Sequence, residues 1–217
     1  MTAALRLRIV GLGGSLAPRS TSLAALDRVL AAARGAGAAT ERFAVADLDA
    51  PPYRPGRTPP PAIERLCAAV RDGAAMVWSS PLYHGSISGT FKNAIDWLEV
   101  LAERGEPYLD GKLVGLVATG AGDHALQAIN SMEFMVRALR ALACPLVVPV
   151  ARAATVFGDD GAILDPEIAA DLDRLGVLLV GGARTLALGA AFERRLQGPH
   201  AAAANVPSAA SGPVDGR

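Results

Sequence analysis

Apolar residues in this chain fall into short runs separated by stretches with helical spacing. The runs predict strands over residues 5–12, 39–45, 74–78, 113–118 and 146–150. Between and after them, apolar residues recur every three or four positions. This spacing predicts helices over residues 23–33, 63–70, 90–103 and about 125–143, and a last helix that begins at Asp165-Pro166 and runs to about Leu196 with a break at Gly181-Gly182.

Regular alternation of strand and helix predicts an α/β fold, with one parallel sheet covered by helices on both faces. Right-handed connections favour a doubly wound five-stranded parallel sheet of flavodoxin-like order 2-1-3-4-5. In that order the loops after strands one, three and four lie at one edge of the sheet. We therefore expect a ligand site there, at the switch point between strands one and three.

Composition predicts one domain over residues 1–197 and a disordered tail over residues 198–217, because the tail lacks apolar content. Lys and Arg number 21 and Asp and Glu also number 21, so a basic face for nucleic acid is not expected. We find no apolar run near 20 residues and no signal-peptide core, which predicts a cytoplasmic protein without membrane contact. Cys67 and Cys144 are predicted to be inert buried thiols on helices.

The loop after the first strand is rich in hydroxyls and precedes a helix. Its candidate phosphate ligands are Ser15, Arg19, Ser20, Thr21 and Ser22. A helix N-terminus offers free N–H groups and a positive dipole end, which suit a phosphate. Simple N-capping by Ser20 or Thr21 is the alternative, and it explains only one of the four hydroxyls.

Two better-known phosphate motifs do not fit this loop. Leu16 stands where a dinucleotide fingerprint needs its third glycine, and no acidic residue ends the second strand. A Walker loop would need Gly-Lys-Ser/Thr after the glycines, which is missing. A monophosphate held by hydroxyls and backbone fits better.

The loop after the central strand combines an aromatic ring with hydroxyls and glycine, which favours a flat ring as its ligand. The candidate contacts in this loop are Pro81, Leu82, Tyr83, His84, Gly85 and Ser86. A third loop at the same edge adds Thr119, Gly120, Ala121 and Gly122. A phosphate at the first loop and a flat ring at the second together indicate flavin mononucleotide, FMN.

These stretches resemble the NADPH-dependent FMN reductase family, which includes flavin, quinone, azo and chromate reductases, and the resemblance extends to about Leu196. It rests on Gly14-Ser15 with Ser20 and Ser22, on Pro81-Leu82-Tyr83-His84-Gly85-Ser86-Ile87-Ser88-Gly89, and on Lys92-Asn93-Ala94-Ile95-Asp96-Trp97. The family usually has Glu and Asn where this chain has Leu82 and His84. It often has Arg at the position of Ala17, whereas here Arg19 lies two positions further on.

The resemblance implies an oxidoreductase that transfers hydride from NADPH (or NADH) to FMN and on to free flavin or a small acceptor such as a quinone. The flavin carries this chemistry, so we assign no catalytic residue and no metal. The alternatives are a flavodoxin-type electron carrier and a flavin-binding module without turnover. A carrier usually needs an acidic docking face, which a neutral chain does not offer.

The resemblance also implies a homo-dimer or homo-tetramer and a flavin-dependent monooxygenase as a partner. The sequence adds its own reason for assembly. Trp97 and Val100 widen the apolar surface of the helix over 90–103, so a monomer is expected to expose them.

Overall fold

The structure is a computed structural model that describes residues 7–105 and 108–197. Strands and helices alternate along these residues, with short helices at several turns. In chain order they are β1 (Arg8–Gly13), α1 (Thr21–Gly35), β2 (Ala39–Ala44), α2 (Val45–Leu48), α3 (Pro61–Asp72), β3 (Ala75–Tyr83), β4 (Ser86–Ile87), α4 (Gly89–Asp96), α5 (Glu99–Glu103), β5 (Leu113–Thr119), α6 (Leu126–Ala138), β6 (Leu142–Val150), α7 (Ala153–Val156) and α8 (Pro166–Gln197). The tail predicted over 198–217 lies outside the described residues.

The sheet has the order β2-β1-β3-β5-β6, and all of these neighbours pair in parallel. The two-residue strand β4 pairs only with β3, in antiparallel fashion. If the five long strands are numbered alone, their order is 2-1-3-4-5, so the predicted flavodoxin-like arrangement is confirmed.

Two apolar layers enclose the sheet. One layer contains Ile63 of α3, Phe91 of α4 and Ile129 of α6, and the other contains Leu26 of α1 and Leu175 of α8. Because the central strands are buried on both faces, they appear in the sequence as continuous apolar runs. This explains why periodicity alone located β1, β3 and β5.

The boundary between α6 and β6 differs from the prediction. The helix ends at Ala138 and the strand begins at Leu142, where we expected a helix to 143 and a strand from 146. Arg140 has a φ of 58°, a left-handed conformation that ends the helix. Cys144 is therefore a buried residue of a strand, not of a helix.

The helix predicted over 90–103 is interrupted. It divides into α4 and α5 at Leu98. The N–H of Leu98 donates to Ile95 O, three residues back, so the helix makes a tighter turn of the 3₁₀ type at this point. Trp97 and Val100 are buried within a single chain, with relative exposures of 0% and 2%. Our expectation that a monomer would expose them is wrong.

The segment around residues 50–53 covers this part of α4 and α5. Trp97 Nε1 donates to Pro51 O at 2.8 Å, and the Trp97 and Tyr53 rings meet edge to face. Asn93 accepts a hydrogen bond from Tyr53 N at 2.8 Å and donates to Ala50 O and Pro51 O at 3.2 and 3.1 Å. Asn93 and Trp97, which belong to the motif over residues 92–97, therefore hold residues 50–53 in contact with α4.

Replacing Asn93 by Leu is expected to lower the free energy of unfolding by about 2 kcal/mol, because Tyr53 N and Ala50 O lose their partner and Pro51 O keeps only the bond from Trp97. Lys92→Gln is the matched control on the same helix. It breaks an exposed ion pair to Asp96 and should cost about 0.5 kcal/mol or less. Urea unfolding of both variants measures the difference, and equal losses would show that Asn93 does not fasten this segment.

Helix α8 is continuous through Gly181-Gly182, so the predicted break is absent. Its start matches the prediction, since the Asp165 side chain accepts hydrogen bonds from Glu167 N and Ile168 N. In the part of the chain that the structure describes, α8 is the one helix long and apolar enough to cross a membrane by length and composition. The expectation that no apolar stretch approaches that length is therefore wrong, although part of α8 is buried against the sheet.

Candidate functional site

Three loops meet at the carboxyl edge of the sheet: the first loop (residues 14–20), the central loop (residues 81–88) and the third loop (residues 119–125). Gly14 N donates to Ser79 O at 2.8 Å, at the base of the central loop. Ser88 Oγ donates to Gly14 O, and Thr21 Oγ1 donates to Thr119 Oγ1 at 3.1 Å. The predicted site residues are therefore brought together at one place.

Packing fixes the start of the first loop. A Cβ added to Gly14 would lie 2.7 Å from Phe91 Cβ, so only glycine lets α4 pack against this loop. Ser88 forms the N-cap of α4 by accepting a hydrogen bond from Phe91 N at 3.1 Å. The first and central loops consequently form one packed unit with α4.

The hydroxyls of the first loop all have protein partners. Ser20 is the N-cap of α1, because its Oγ accepts from Leu23 N at 3.2 Å, and it also lies 3.0 Å from Ser22 Oγ. Ser15 is buried and its Oγ accepts from Ala17 N at 3.1 Å. The capping alternative thus holds for Ser20. Ser15 still has its own hydroxyl proton to donate.

Backbone N–H groups supply the free donors at this loop. Within residues 7–105 and 108–197, six amides at or beside the N-terminus of α1 make no hydrogen bond. They belong to Ser15, Leu16, Arg19, Ser20, Thr21 and Ser22. Unpaired amides and the positive end of a 15-residue helix form a donor set that suits a phosphate.

Arg19 lies beside these amides and is exposed. It makes no hydrogen bond or ion pair to any described residue, so its charge is free to act on a ligand. Arg19, Ser20 and Thr21 line a cavity of about 490 Å³ that is also lined by Arg42, Asp27, Asp159 and Asp160, and Arg42 in it pairs with Asp27 at 3.4 Å. The first loop therefore has both the amides and an available cation.

The central loop is a strand extension and a hairpin, which corrects our description of it as a loop. Pro81, Leu82 and Tyr83 continue β3, and Leu82 and Tyr83 pair with Ile87 and Ser86 of β4. The turn between them is His84-Gly85, with φ of 49° and 82°. A two-residue turn with two positive φ values is typical of a β-hairpin, and glycine in its second position was the sequence signal for it.

This hairpin packs against α6, and its aromatic residue, Tyr83, is exposed to solvent. Ser86 Oγ lies 3.1 Å from Ser131 Oγ, and a Cβ added to Gly85 would lie 3.2 Å from Gln127 Oε1. The Tyr83 side chain is 52% exposed at the end of β3. An exposed aromatic ring on a hairpin that packs against α6 offers a flat ligand a surface to stack on.

The third loop is tied to the start of α7. Gly120 N donates to Val150 O at 2.9 Å, and Arg152 N donates to Gly122 O at 3.1 Å. The Arg152 guanidinium pairs with Asp123 at 2.6 Å, and this hydrogen bond lowers the pKa of the Asp123 carboxyl. Arg152 is a residue of this edge that our sequence analysis missed, because nothing in its local pattern indicates a partner 29 positions earlier.

The third loop also has unpaired amides. The N–H groups of Ala121, Gly122 and Asp123 donate to no described residue. No group of three or more His, Cys, Asp or Glu among the described residues is arranged to hold a metal. The chemistry that this edge supports is thus binding by backbone amides, one arginine and an aromatic ring.

The comparison with protein families shows which family the chain belongs to. Residues 7–155 match the model of the family described as NADPH-dependent FMN reductase. This chain belongs to that family. The predicted family is therefore confirmed, and its description names the two cofactors that the sequence predicted, FMN and NADPH.

Relatives that resemble this chain in sequence are consistent with the family match. It is 32% identical over 106 residues to the NADPH-dependent FMN reductase ArsH of Acidithiobacillus ferrooxidans, covering 49% of this chain and 44% of the relative. Matches to three ArsH relatives cover 44% to 64% of their lengths, so the chain spans about half the length of these curated relatives.

Solved structures show the fold. The flavoenzyme NAD(P)H:(acceptor) oxidoreductase FerB of Paracoccus denitrificans has a TM-score of 0.69 at 20% identity, covering 82% of this chain and 98% of that one. A flavodoxin from the domain Archaea has a TM-score of 0.59 at 9% identity, covering 82% and 99%. At such identities the likeness concerns the fold alone, and the fold is flavodoxin-like.

The residues of this family member fit FMN. The amides at the start of α1 with Ser15 and Arg19 would hold the phosphate, and Tyr83 on the hairpin would lie against the ring. The amides of Ala121 and Gly122 would face its polar edge. Each assignment uses donors or surface that the described residues leave unused.

Proposed function

We propose that this protein is an NAD(P)H-dependent FMN reductase, which passes hydride from NADPH or NADH through flavin to free flavin or a small acceptor such as a quinone. One observation carries the proposal. Six unpaired amides at the N-terminus of α1 lie next to an exposed aromatic hairpin, and the two are joined through Ser88 and Gly14. Family membership supports the same reaction class.

Bound flavin would supply the redox chemistry, since it accepts and gives hydride. The protein binds and orients it. The first loop would hold the phosphate, the hairpin would carry the ring, and the amides of the third loop would donate hydrogen bonds to the ring's polar edge. Because Tyr83 is half exposed, a ring packed on it would keep its other face toward solvent, and nicotinamide and acceptor would use that face in turn.

The experiment mixes the purified chain with FMN and NADPH, and separately NADH, and follows nicotinamide absorbance. We expect saturable oxidation that depends on both protein and FMN, with a faster rate when a quinone is added. The matched control is Ser20→Asp, which should bind FMN poorly. Absence of oxidation with either nicotinamide at saturating FMN would contradict the proposal. If there is no oxidation but flavin binds tightly, the protein is better described as an electron carrier. If there is no oxidation and flavin binds weakly, it is better described as a non-catalytic module.

The acceptor, the monooxygenase partner, the homo-oligomer and the cytoplasmic location remain predictions. They rest on the family resemblance and on composition. For the acceptor, replacing Leu82 and His84 by the usual Glu and Asn offers a direct comparison of quinone with free flavin as substrate.

A further inference from the structure

Helix α8 has two apolar sides, and the core covers only one of them. The inner side packs on the sheet and on α1, for example through Leu175 and Leu179. Among the described residues, six of the twelve large apolar side chains that are exposed lie on α8. Five of these six share the outer side of the helix, with relative exposures of 39% to 71%. We call them the outer stripe: Val177, Leu178, Leu188, Phe192 and Leu196.

The second half of α8 extends away from the candidate functional site. A Cβ added to Gly115 would lie 2.8 Å from Leu179, and one added to Gly182 would lie 2.5 Å from Leu113. The helix therefore runs opposite to β5, towards the edge of the sheet where the strands begin. A surface that binds this half leaves the three loops at the other edge accessible.

This half of the helix lacks support from the rest of the chain. Ala183 is the last buried residue of α8, and none of residues 184–196 is buried. Helical stretches shorter than about 12–15 residues are marginal in water unless one side is packed. Residues 184–196 therefore need a surface to pack on.

Unpaired positive charge accompanies the outer stripe. Residues 175–196 contain Arg184, Arg194 and Arg195 and one acidic residue, Glu193, which gives a net charge of +2. None of these four side chains forms an ion pair or a hydrogen bond with a described residue. Arg184 and Arg195 are eleven positions apart, or about three helical turns, so they line up along one flank of the stripe.

The acidic residues in the first half of α8 do not offset this charge. Asp173 pairs with Arg28 at 2.5 Å, and Asp171 lies 3.7 Å from Arg174. A second copy of the helix would therefore bring more unpaired positive charge to the stripe. An anionic surface with an apolar interior complements both the arginines and the stripe.

The anchoring of α8 in the core determines how it can meet a bilayer. The helix is long and apolar enough to cross a membrane, and only 28% of its apolar 18-residue window is buried. Crossing would nevertheless withdraw Leu175 and Leu179 from the layer between α1 and the sheet. Lying in the plane of the membrane uses only the outer side and leaves the fold intact.

We propose that the outer stripe of α8 is a docking surface for a bilayer that contains anionic phospholipid. Leu188, Phe192 and Leu196 enter the boundary between head groups and acyl chains, and the arginines contact lipid phosphates. The protein is then peripheral to the membrane, which replaces our expectation of no membrane contact. This docking surface does not depend on the proposed reductase activity.

The first test is cosedimentation of the full chain with two kinds of vesicle. One kind is phosphatidylcholine alone, and the other contains equal parts of phosphatidylcholine and phosphatidylglycerol. We expect binding to the mixed vesicles that is at least about tenfold tighter than to phosphatidylcholine and that weakens with added salt. No binding to the mixed vesicles, or equal binding to both kinds, would overturn the proposal.

Variants locate the contact. Leu188→Glu with Phe192→Glu, the stripe variant, should bind the mixed vesicles at least about tenfold more weakly, and Arg194→Gln with Arg195→Gln about tenfold more weakly. Phe134→Glu on α6 is the control and should bind like the wild type, because Phe134 is 73% exposed but lies outside α8. The unfolding transition and FMN affinity should be unchanged in the α8 variants. A control that loses as much binding as the stripe variant refutes docking through α8.

The second test measures insertion. Trp78 and Trp97 are both 0% exposed, so an introduced surface tryptophan is the one that responds to lipid. Phe192→Trp should shift its emission to shorter wavelength with the mixed vesicles and be quenched by brominated lipid, whereas Phe134→Trp should do neither. A response from Phe134→Trp without one from Phe192→Trp means that another surface meets the bilayer.

The same measurements detect two other occupants of the outer stripe, and each of them overturns the proposal. A second copy would appear in light scattering as a mass that the stripe variant halves, in a protein that does not bind the mixed vesicles. The segment 198–217 would appear as vesicle binding that is absent in the full chain and present once that segment is deleted.

Discussion

Replacing Ser20 by Asp is expected to weaken FMN binding by about 3 kcal/mol, or about 100-fold, without loss of fold. Asp is as good an N-cap as Ser, so it can still accept from Leu23 N and support α1. It adds a negative charge where we place the phosphate. At about 5 Å and an effective dielectric constant of about 20, two like charges repel by about 3 kcal/mol.

Two controls isolate the charge. Ser20→Asn also caps a helix and has nearly the shape of Asp, but it is neutral, so it should retain most of the affinity. Riboflavin lacks the phosphate, so its affinity should be the same in the wild type and in Ser20→Asp. Fluorescence titration of both ligands gives the comparison. Equal losses for FMN and riboflavin would mean that the phosphate is not held at the first loop.

Replacing Gly85 by Val is expected to weaken the binding of FMN and riboflavin alike, by at least about 100-fold. Gly85 has a φ of 82°, which a β-branched residue adopts only with strain. Its new side chain would also press on Gln127. The hairpin that carries Tyr83 would be displaced, whereas the core strands would keep their burial.

The structure changes the reason for this prediction. From the sequence we expect Val to obstruct the ring directly, but the φ of Gly85 means that turn strain acts as well. His84→Asn is the matched control, because Asn-Gly is a favoured two-residue turn and should retain the affinity within about threefold. Unchanged nicotinamide oxidation in His84→Asn would also exclude His84 as a proton donor. If Gly85→Val binds both flavins normally, the ring does not lie on this hairpin.

The strand order and the meeting of the three loops at one edge of the sheet could be predicted because they depend on local patterns. Buried parallel strands are short apolar runs, and their order follows from connection rules. The hairpin was missed because Ser79, Ser80 and Pro81 have loop-like composition. Their strand geometry comes from pairing with β5, which continues to Pro81 opposite Thr119.

Long-range contacts explain the other differences. The spacing of Trp97 and Val100 showed an apolar surface but not the segment from Ala50 to Tyr53 that covers it. In the first loop, sequence alone gave four equivalent hydroxyls. The structure assigns Ser20 to a helix cap and leaves the backbone amides as the unpaired donors, which no sequence pattern distinguishes.

A crystal structure of the full chain with FMN tests the central claim most directly. We predict the phosphate within hydrogen-bonding distance of the amides of Ser20, Thr21 and Ser22, and the ring against Tyr83 with its polar edge toward the third loop. Flavin bound elsewhere would contradict the account, for example in the cavity of about 330 Å³ lined by Tyr53, Tyr108 and Met135. So would crystals grown in saturating FMN that show no flavin at this edge of the sheet.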